Sequence, residues 1–327
     1  MTSVISNPVA VLVELRDGAV AHPTFEALTL ARSLGTPVAV WLGTDPGAEA
    51  VAQLAQYGAA EVRVAAIGAE ARYPAKAAAA IAASTEDAKL LLVVSTFLNK
   101  EIVTRLAVTT GAGVVVDAAG VEFVESPGAD SAVEAFQTVF AATWNVRTRI
   151  EGSKAIVGIR PNTTTASAAD APGEATVVPI VAALPATRET IIAVEPIAAV
   201  AGVPLSDAPV VVAGGRGTGG DYALITEFAD LLGGAVGASR DATDEGWISH
   251  EHMIGQTGTT VTPALYVACG ISGAVHHRGG MQASGTIVAI NMDPDAPIFE
   301  ICDFGVVGSL FDVLPQAIEA VKAHRAS

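Results

Sequence analysis

The chain reads as an α/β protein of two domains, each a parallel sheet covered by helices. Three observations carry that reading. Short, nearly unbroken apolar runs alternate with segments of helical spacing, the pattern of strands buried on both faces. The length, 327 residues, exceeds what one core usually serves. The alternation also lapses in the middle of the chain, crosses a Pro/Gly-containing stretch, and restarts in the last third.

Val9 to Leu15 is an apolar run with β-branched character, ended by the turn signal Arg16-Asp17-Gly18. Pro23 to Leu34 carries apolar residues at helical period (Phe25, Leu28, Ala31, Leu34) and stops at Gly35. A strand at Pro37–Leu42, a helix at Ala48–Tyr57 stopped by Gly58, and a strand at Glu61–Ala65 follow. A helix around Ala75–Ala83, a strand at Leu90–Ser95 and a helix at Lys100–Thr110 continue the series. Val114–Val116, Gly120–Val124, Val133–Asn145 and Lys154–Ile159 are β-leaning stretches, and Pro161–Gly173 is a Thr/Ala/Pro-rich loop. Val177–Val181 and Thr190–Val194 read as strands returning to the first sheet. Ala198–Pro209 has little periodicity and marks the boundary, giving domains 1–205 and 206–327. Beyond it the spacing predicts strands at Pro209–Ala213, Ala235–Ala238, His252–Ile254, Ala264–Ala268, Thr286–Ile290 and Ile298–Cys302. Helices are predicted at Tyr222–Leu232, Ser272–Met281 and Ser309–His324.

Composition narrows the function classes. Apolar residues make up 51% and charged residues 16%, which excludes disorder, collagen and coiled coil. Lys plus Arg total 18 against 34 Asp plus Glu, a net charge of −16. Phosphate backbones and anionic lipid repel such a chain, so nucleic acid is a poor partner and any anionic ligand needs a local cluster of donors. Cys269 and Cys302 sit in apolar runs and read as buried reduced thiols. No basic region followed by a long apolar stretch opens the chain, and no uncharged stretch reads as a membrane span, so a soluble protein of the cytoplasm is expected.

The clusters that carry chemistry lie almost entirely after residue 213, at the ends of predicted strands, where open α/β sheets bind ligands. Gly214 to Gly220 fits G-x-G-x-x-G at Gly215, Gly217 and Gly220. A nicotinamide fingerprint also wants an acidic residue closing the second strand, and here Ser239-Arg240 stands there instead. The cluster is therefore a structural turn, a nicotinamide site, or a site for another phosphate- or flavin-bearing nucleotide. Arg240 either faces such a ligand or pairs on the surface with the acidic loop Asp241–Glu245. Ile254-Gly255-Gln256-Thr257-Gly258 brackets an amide and a hydroxyl with glycines, fit for close backbone approach or for an ordinary turn. In Gly270 to His277, small residues at the mouth of a helix free N–H groups for a phosphate. His276 and His277 are adjacent and diverge by about 100° on a helix, so they cannot grip one metal together. Asn291 closes an apolar strand, as a turn former or a ligand contact. No nucleophile elbow, HExxH or Walker lysine is present.

In order, GGRG, GASR, GQTG, LYVACGISGAVHH, GGM, TIVAIN, DPDAPIF, DFGVVG and LFDVLP run from Val211 to Pro315. Together they closely resemble the C-terminal domain of electron transfer flavoprotein α subunits; the N-terminal two thirds match in layout and length only. The resemblance implies an adenine-nucleotide-hydrolase-like N-terminal domain used for subunit contact, with no cofactor, and a Rossmann-like C-terminal domain holding one FAD. It implies a heterodimer with a β subunit, and an electron carrier rather than an enzyme. Acyl-CoA and related dehydrogenases would be the donors, and a quinone oxidoreductase or another acceptor would receive the electrons. AMP is expected only within the β subunit, and no iron–sulfur cluster is implied.

Carried over by motif, Arg216, Ser239, Arg240, Ile254, Gly255, Gln256 and Thr257 would line the FAD site, with Ser272, Gly273, Ala274, Val275, His276, His277 and Asn291. Arg240 would stabilise negative charge on the reduced ring. Thr257 would bond the N5 region and His277 the carbonyl at the pyrimidine end. Ser272 to Val275 and Asn291 would serve the diphosphate and adenosine half. Family members commonly carry an acidic residue before the last motif's Leu, whereas Ser309 precedes Leu310 here, leaving a weaker acceptor at the adenosine end. Two other readings compete. One is an NAD-dependent oxidoreductase built on residues 215–220, which would be colourless where a flavoprotein is yellow. The other is a nucleotide-binding scaffold.

Overall fold

The computed structural model describes residues 7–126, 129–140, 143–195 and 203–326. Residues 198–202 of the expected boundary lie outside them, as do 141–142 within the β-leaning middle. The protein is α/β, and it divides into two compact units: residues 1–137 with 145–196, and residues 138–144 with 197–327.

The first unit begins with β1 (Pro8–Leu12), a small hairpin of β2 (Leu15–Arg16) and β3 (Ala19–Val20), and α1 (His22–Leu34). The hairpin turn has φ of 51° at Asp17 and 82° at Gly18, both positive, as a two-residue turn between twisted strands requires. Then come β4 (Thr36–Leu42), α2 (Gly47–Gln56), β5 (Glu61–Ala65), α3 (Pro74–Ser84), β6 (Leu90–Val94) and α4 (Phe97–Thr110). The remaining strands are β7 (Gly113–Ser126), β8 (Ala129–Val139), β9 (Trp144–Ile150), β10 (Ala155–Ile159) and β11 (Thr176–Ile180). The sheet order is β11-β5-β4-β1-β6-β10-β7-β8-β9, parallel from β11 to β7 and antiparallel between β7 and β8. Its central strands are apolar throughout because both faces are covered. Val9, Val11, Leu90 and Leu92 pack with Leu28 of α1 and Leu54 of α2. Ala10, Leu12, Leu91 and Val93 pack with Ile81 of α3 and Ile102 of α4. Buried Arg63 and Glu61 of β5 pair at 3.0 Å, and Arg63 also bonds the exposed Asp87 at 2.5 and 2.9 Å and the Ser84 carbonyl at 2.8 Å.

Two expectations for this unit change. The stretches at 114–116 and 120–124 are one strand, β7, bent where its pairing with β10 bulges at Asp117, whose φ is 58°. Ser95 Oγ and Lys100 Nζ each donate to the Asp117 carboxylate at 2.8 Å and hold that kink. Thr190–Val194 forms no strand; Ile192 is 96% exposed, so its apolar composition reflects no burial within the chain.

The second unit contains β12 (Val210–Gly214), α5 (Ala223–Leu232), β13 (Ala235–Ala238), the short α6 (Arg240–Asp244), β14 (Leu265–Cys269), α7 (Val275–Met281), β15 (Thr286–Asn291), β16 (Phe304–Val307) and α8 (Leu310–Ala326). The sheet is parallel, ordered β13-β12-β14-β15-β16, a doubly wound arrangement. Val212, Val267, Cys269 and Ile290 face α5 and α8. Val211, Tyr266, Ala268 and Ile287 face Met281 of α7, Ile254 and Ile298.

Three predicted boundaries fail, each for a local reason. His252–Ile254 is not a strand: a 3-10 turn at His250–His252 leads into two single bridges, Ala238 to Met253 and Ile254 to Thr259. Ile298–Cys302 is displaced by a 3-10 turn at Pro297–Glu300, started by Pro297 and anchored by fully buried Ile298, and β16 follows it. The helix predicted from Ser272 starts only at Val275, because Gly273 sits at φ +85° against Ile298. Both cysteines are free; Cys269 is buried, but Cys302 is only half-buried.

Candidate functional site

The chain runs from β12 outward to β13 and returns on the other side of β12 as β14, so a crevice opens at the carboxyl ends of β12 and β14. The loops after these two strands close on one another. Gly215 N donates to Cys269 O at 2.9 Å and Gly217 N to Gly270 O at 3.0 Å. A Cβ on Gly217 would lie 2.7 Å from Gly270 Cα, so the contact demands glycine. The following helix, α5, does not start at the glycine run: Gly220 packs on Trp247, and α5 begins at Ala223. The G-x-G-x-x-G segment is thus a packed turn, with Arg216 on its exposed 3-10 crest, 3.9 Å from Asp241.

Ser239 follows β13 and caps α6, accepting from Ala242 N at 3.4 Å, while its own N–H donates to Gly214 O. Arg240 begins α6 with its side chain 66% exposed and donates from Nε to Asp244 at 3.1 Å. This is the surface pairing that the acidic loop offered as one alternative.

Residues 254–257 and 276–277 come together. Ile254 N donates to Ala238 O at 2.9 Å, which ties the loop to the end of β13. Gln256 N donates to His276 O at 3.0 Å, and His276 Nδ1 donates to Gln256 Oε1 at 3.0 Å. Gly280 is in close contact with Gly255, leaving no room for a side chain beneath the loop. Gln256, Thr257 and His276 are exposed; Ile254 and Gly255 are buried.

The turn before α7 is held from two sides. Asn291 Nδ2 donates to Ile271 O at 2.9 Å, and Ile298 N donates to Ser272 O at 3.0 Å. Among the described residues, the N–H groups of Ser272, Gly273 and Ala274 have no partner. Ser272, Ala274 and Val275 are exposed beside them. Ser309 Oγ accepts from Phe311 N at 3.2 Å at the start of α8, and Leu310 is buried against Gly270.

His277 differs from its neighbour. It is 6% exposed, its Nε2 lies 2.8 Å from Tyr266 Oη, and its Nδ1 is buried with no hydrogen-bond partner. Burial pushes its pKa down to about 4, against a smaller opposing effect of the Ile254 backbone, so the ring is neutral at pH 7. Burial also raises the Tyr266 hydroxyl well above its ordinary value. Sequence reasoning passed over Tyr266 and Tyr222, whose hydroxyl donates to Gly214 O at 2.9 Å. A lone tyrosine inside the aliphatic run Leu265–Cys269 was the available signal, because a buried hydroxyl needs a partner. Among the described residues no three His, Cys, Asp or Glu are grouped to hold a metal, and no helix is long and apolar enough to cross a membrane.

Residues 9–185 match the family model described as the electron transfer flavoprotein domain, and residues 204–282 match the electron transfer flavoprotein FAD-binding domain. The electron transfer flavoprotein subunit alpha of Mycobacterium leprae is 43% identical over 324 residues, covering 96% of this chain and 98% of the relative. That of Mycobacterium tuberculosis is 40% identical over 324 residues, 97% of this chain and 99% of the relative. The Thermoanaerobacterium thermosaccharolyticum protein of the same name is 58% identical over 122 residues, 37% of each chain.

Proposed function

The chain belongs to the electron transfer flavoprotein α-subunit family, and from that premise we propose that the strand-end crevice of its second unit holds one FAD. The family is one of electron carriers. The observation that carries the reading is the segment 272–277: three N–H groups without partners, next to a buried neutral imidazole with one unpartnered nitrogen. Oriented N–H groups bind a diphosphate, and a buried Nδ1 fits a polar edge of a planar ring, so the residues present fit the group. The nicotinamide alternative is disfavoured by the packed glycine turn and by Arg240 where an acidic residue would be needed.

Bound FAD would supply the capacity to take up and release electrons. The residues of this chain hold it and set its surroundings. The N–H groups of Ser272 to Ala274 bind the diphosphate, and Asn291 supports them by fixing Ile271. Thr257 and His277 address the ring, and Gln256 aligns the loop through His276. Arg216 and Arg240 are cations at the rim of a chain of charge −16. Their pairings with Asp241 and Asp244 are exposed, worth about 0–1 kcal/mol each, so either side chain can turn toward negative charge in the crevice at little cost. Ser309 and Leu310 border the adenosine end, Ser309 chiefly as the cap of α8.

The functional division we propose is 1–205 for subunit contact and 206–327 for FAD, in a cytoplasmic heterodimer with a β subunit that alone carries AMP. Acyl-CoA and related dehydrogenases deliver the electrons, and a quinone oxidoreductase or similar acceptor removes them. Co-purification with the β subunit, an absorption spectrum and chromatography of the released cofactors test this. One FAD per heterodimer is expected; a colourless complex, or one that releases only nicotinamide nucleotide, would overturn it.

A further inference from the structure

The Tyr266–His277 pair, eleven residues apart, permits two proton arrangements, and they are not equivalent. In one, the Tyr266 hydroxyl donates to Nε2 and the ring carries its proton on Nδ1. Only Nδ1–H then lacks an aligned hydrogen bond, with the Ile254 backbone beside the ring. In the other, Nε2–H donates to the tyrosine oxygen. The tyrosine proton, in a fully buried side chain whose hydroxyl has no other hydrogen-bond partner among the described residues, is then orphaned along with the Nδ1 lone pair. The second arrangement leaves two buried groups unsatisfied where the first leaves one, so the first wins.

We infer that Tyr266 is a positioning residue that fixes His277 as the neutral Nδ1–H tautomer, so that the crevice presents a hydrogen-bond donor, not an acceptor, to an electron-rich edge of its ligand. The target of that donor rests on the FAD reading above; the tautomer does not. Tyr266 lies behind the ring within β14, on the face that packs against α7, and its hydroxyl bonds His277 among the residues assigned to the cofactor. Its effect reaches a ligand only through the imidazole. A donor strengthens as the group it faces gains negative charge, so this arrangement favours the reduced ring over the oxidised one.

The experiment uses the complex with its partner subunit, labelled with nitrogen-15 at histidine, His277 being assigned by loss of its signals in His277→Gln. Long-range proton–nitrogen spectra report which ring nitrogen carries the proton. A protonated Nδ1 and bare Nε2 are expected in the parent. In Tyr266→Phe, which keeps the ring volume and removes the hydroxyl, the proton should redistribute toward Nε2. In the same variant the binding preference for reduced over oxidised FAD should fall up to tenfold, a drop in two-electron potential of about 30 mV. A parent protein with the proton on Nε2 overturns the inference whatever the variant does, as does an unchanged tautomer in a folded Tyr266→Phe. A complex with the expected tautomer but no FAD overturns the functional reading and leaves the pairing intact.

Discussion

Replacing Gly273 by alanine tests whether the turn before α7 is shaped by its packing. Gly273 has φ +85°, and a Cβ there would lie 2.4 Å from Ile298 N and 2.6 Å from Ile298 Cα. Both atoms are backbone and cannot rotate away. The positive φ alone costs a non-glycine residue about 1–2 kcal/mol. Forcing the Ile298 turn outward adds the cost of an overpacked core, about 1–3 kcal/mol. The total, about 2–5 kcal/mol, is a large part of the 5–15 kcal/mol that typically holds a folded domain. Gly219 is the control: it has φ +59° with nothing within 4 Å of the added Cβ, so Gly219→Ala carries the conformational cost alone. The assay is urea unfolding of the apo complex, followed by fluorescence of Trp247 with Trp41 and Trp144 replaced by phenylalanine. Gly273→Ala should unfold at lower urea than Gly219→Ala by an amount equivalent to about 1–3 kcal/mol. Equal destabilisation of the two would refute the packing argument. Loss of FAD from a bulkier Gly273 variant would then report a displaced Ile298 turn as much as a blocked approach to the diphosphate.

The remaining predictions concern charge. Arg240→Ala removes only an exposed pair, so melting should shift by the equivalent of about 1 kcal/mol or less while FAD is retained; the flavin potential in a redox titration should fall, and an unchanged potential would leave Arg240 a surface residue. His277, whose folded pKa of about 4 lies below the ordinary 6.5, binds a proton more readily unfolded, so its contribution to stability is complete above pH 6.5 and declines as pH falls from there toward 4. The span corresponds to about 3 kcal/mol, and His277→Gln should flatten that part of the urea-midpoint profile relative to the parent. In the first unit, Arg63→Ala strands the buried Glu61, while the half-exposed Asp87 is rehydrated, and should cost about 3 kcal/mol by urea unfolding. Asp87, held below its ordinary pKa chiefly by its hydrogen bond to Arg63, contributes stability that is present above about pH 3.8 and lost as pH falls further, so Asp87→Asn should lose the acid limb of the profile.

The strands and most helices were legible because doubly covered strands must be apolar along their whole length. Leu90–Val94 could be delimited to within a residue, since its side chains alternate between the two cores. The glycine clusters were legible for another reason: Gly270 and Gly273 adopt positive φ, and Gly217 meets Gly270 backbone to backbone, which other residues do not tolerate. Ile298–Cys302 was misread because apolar composition states only that a segment is buried. Pro297 and the fit of Ile298 beneath Gly273 turn it into a 3-10 corner.

By itself, then, the sequence determined the α/β class, the alternation of elements, the strand-end clusters and the family, because these depend on local periodicity and on residue types with no substitute. Only the tertiary structure decided which clusters meet. That β12 lies between β13 and β14 brings Gly215 and Gly217 onto Cys269 and Gly270, and no local signal in either segment encodes the strand order. Likewise, two adjacent histidines look alike in sequence. The helix rotates His276 to solvent and Gln256, and His277 into the core against Tyr266, and burial rather than residue type makes the second a neutral group with one nitrogen left to donate.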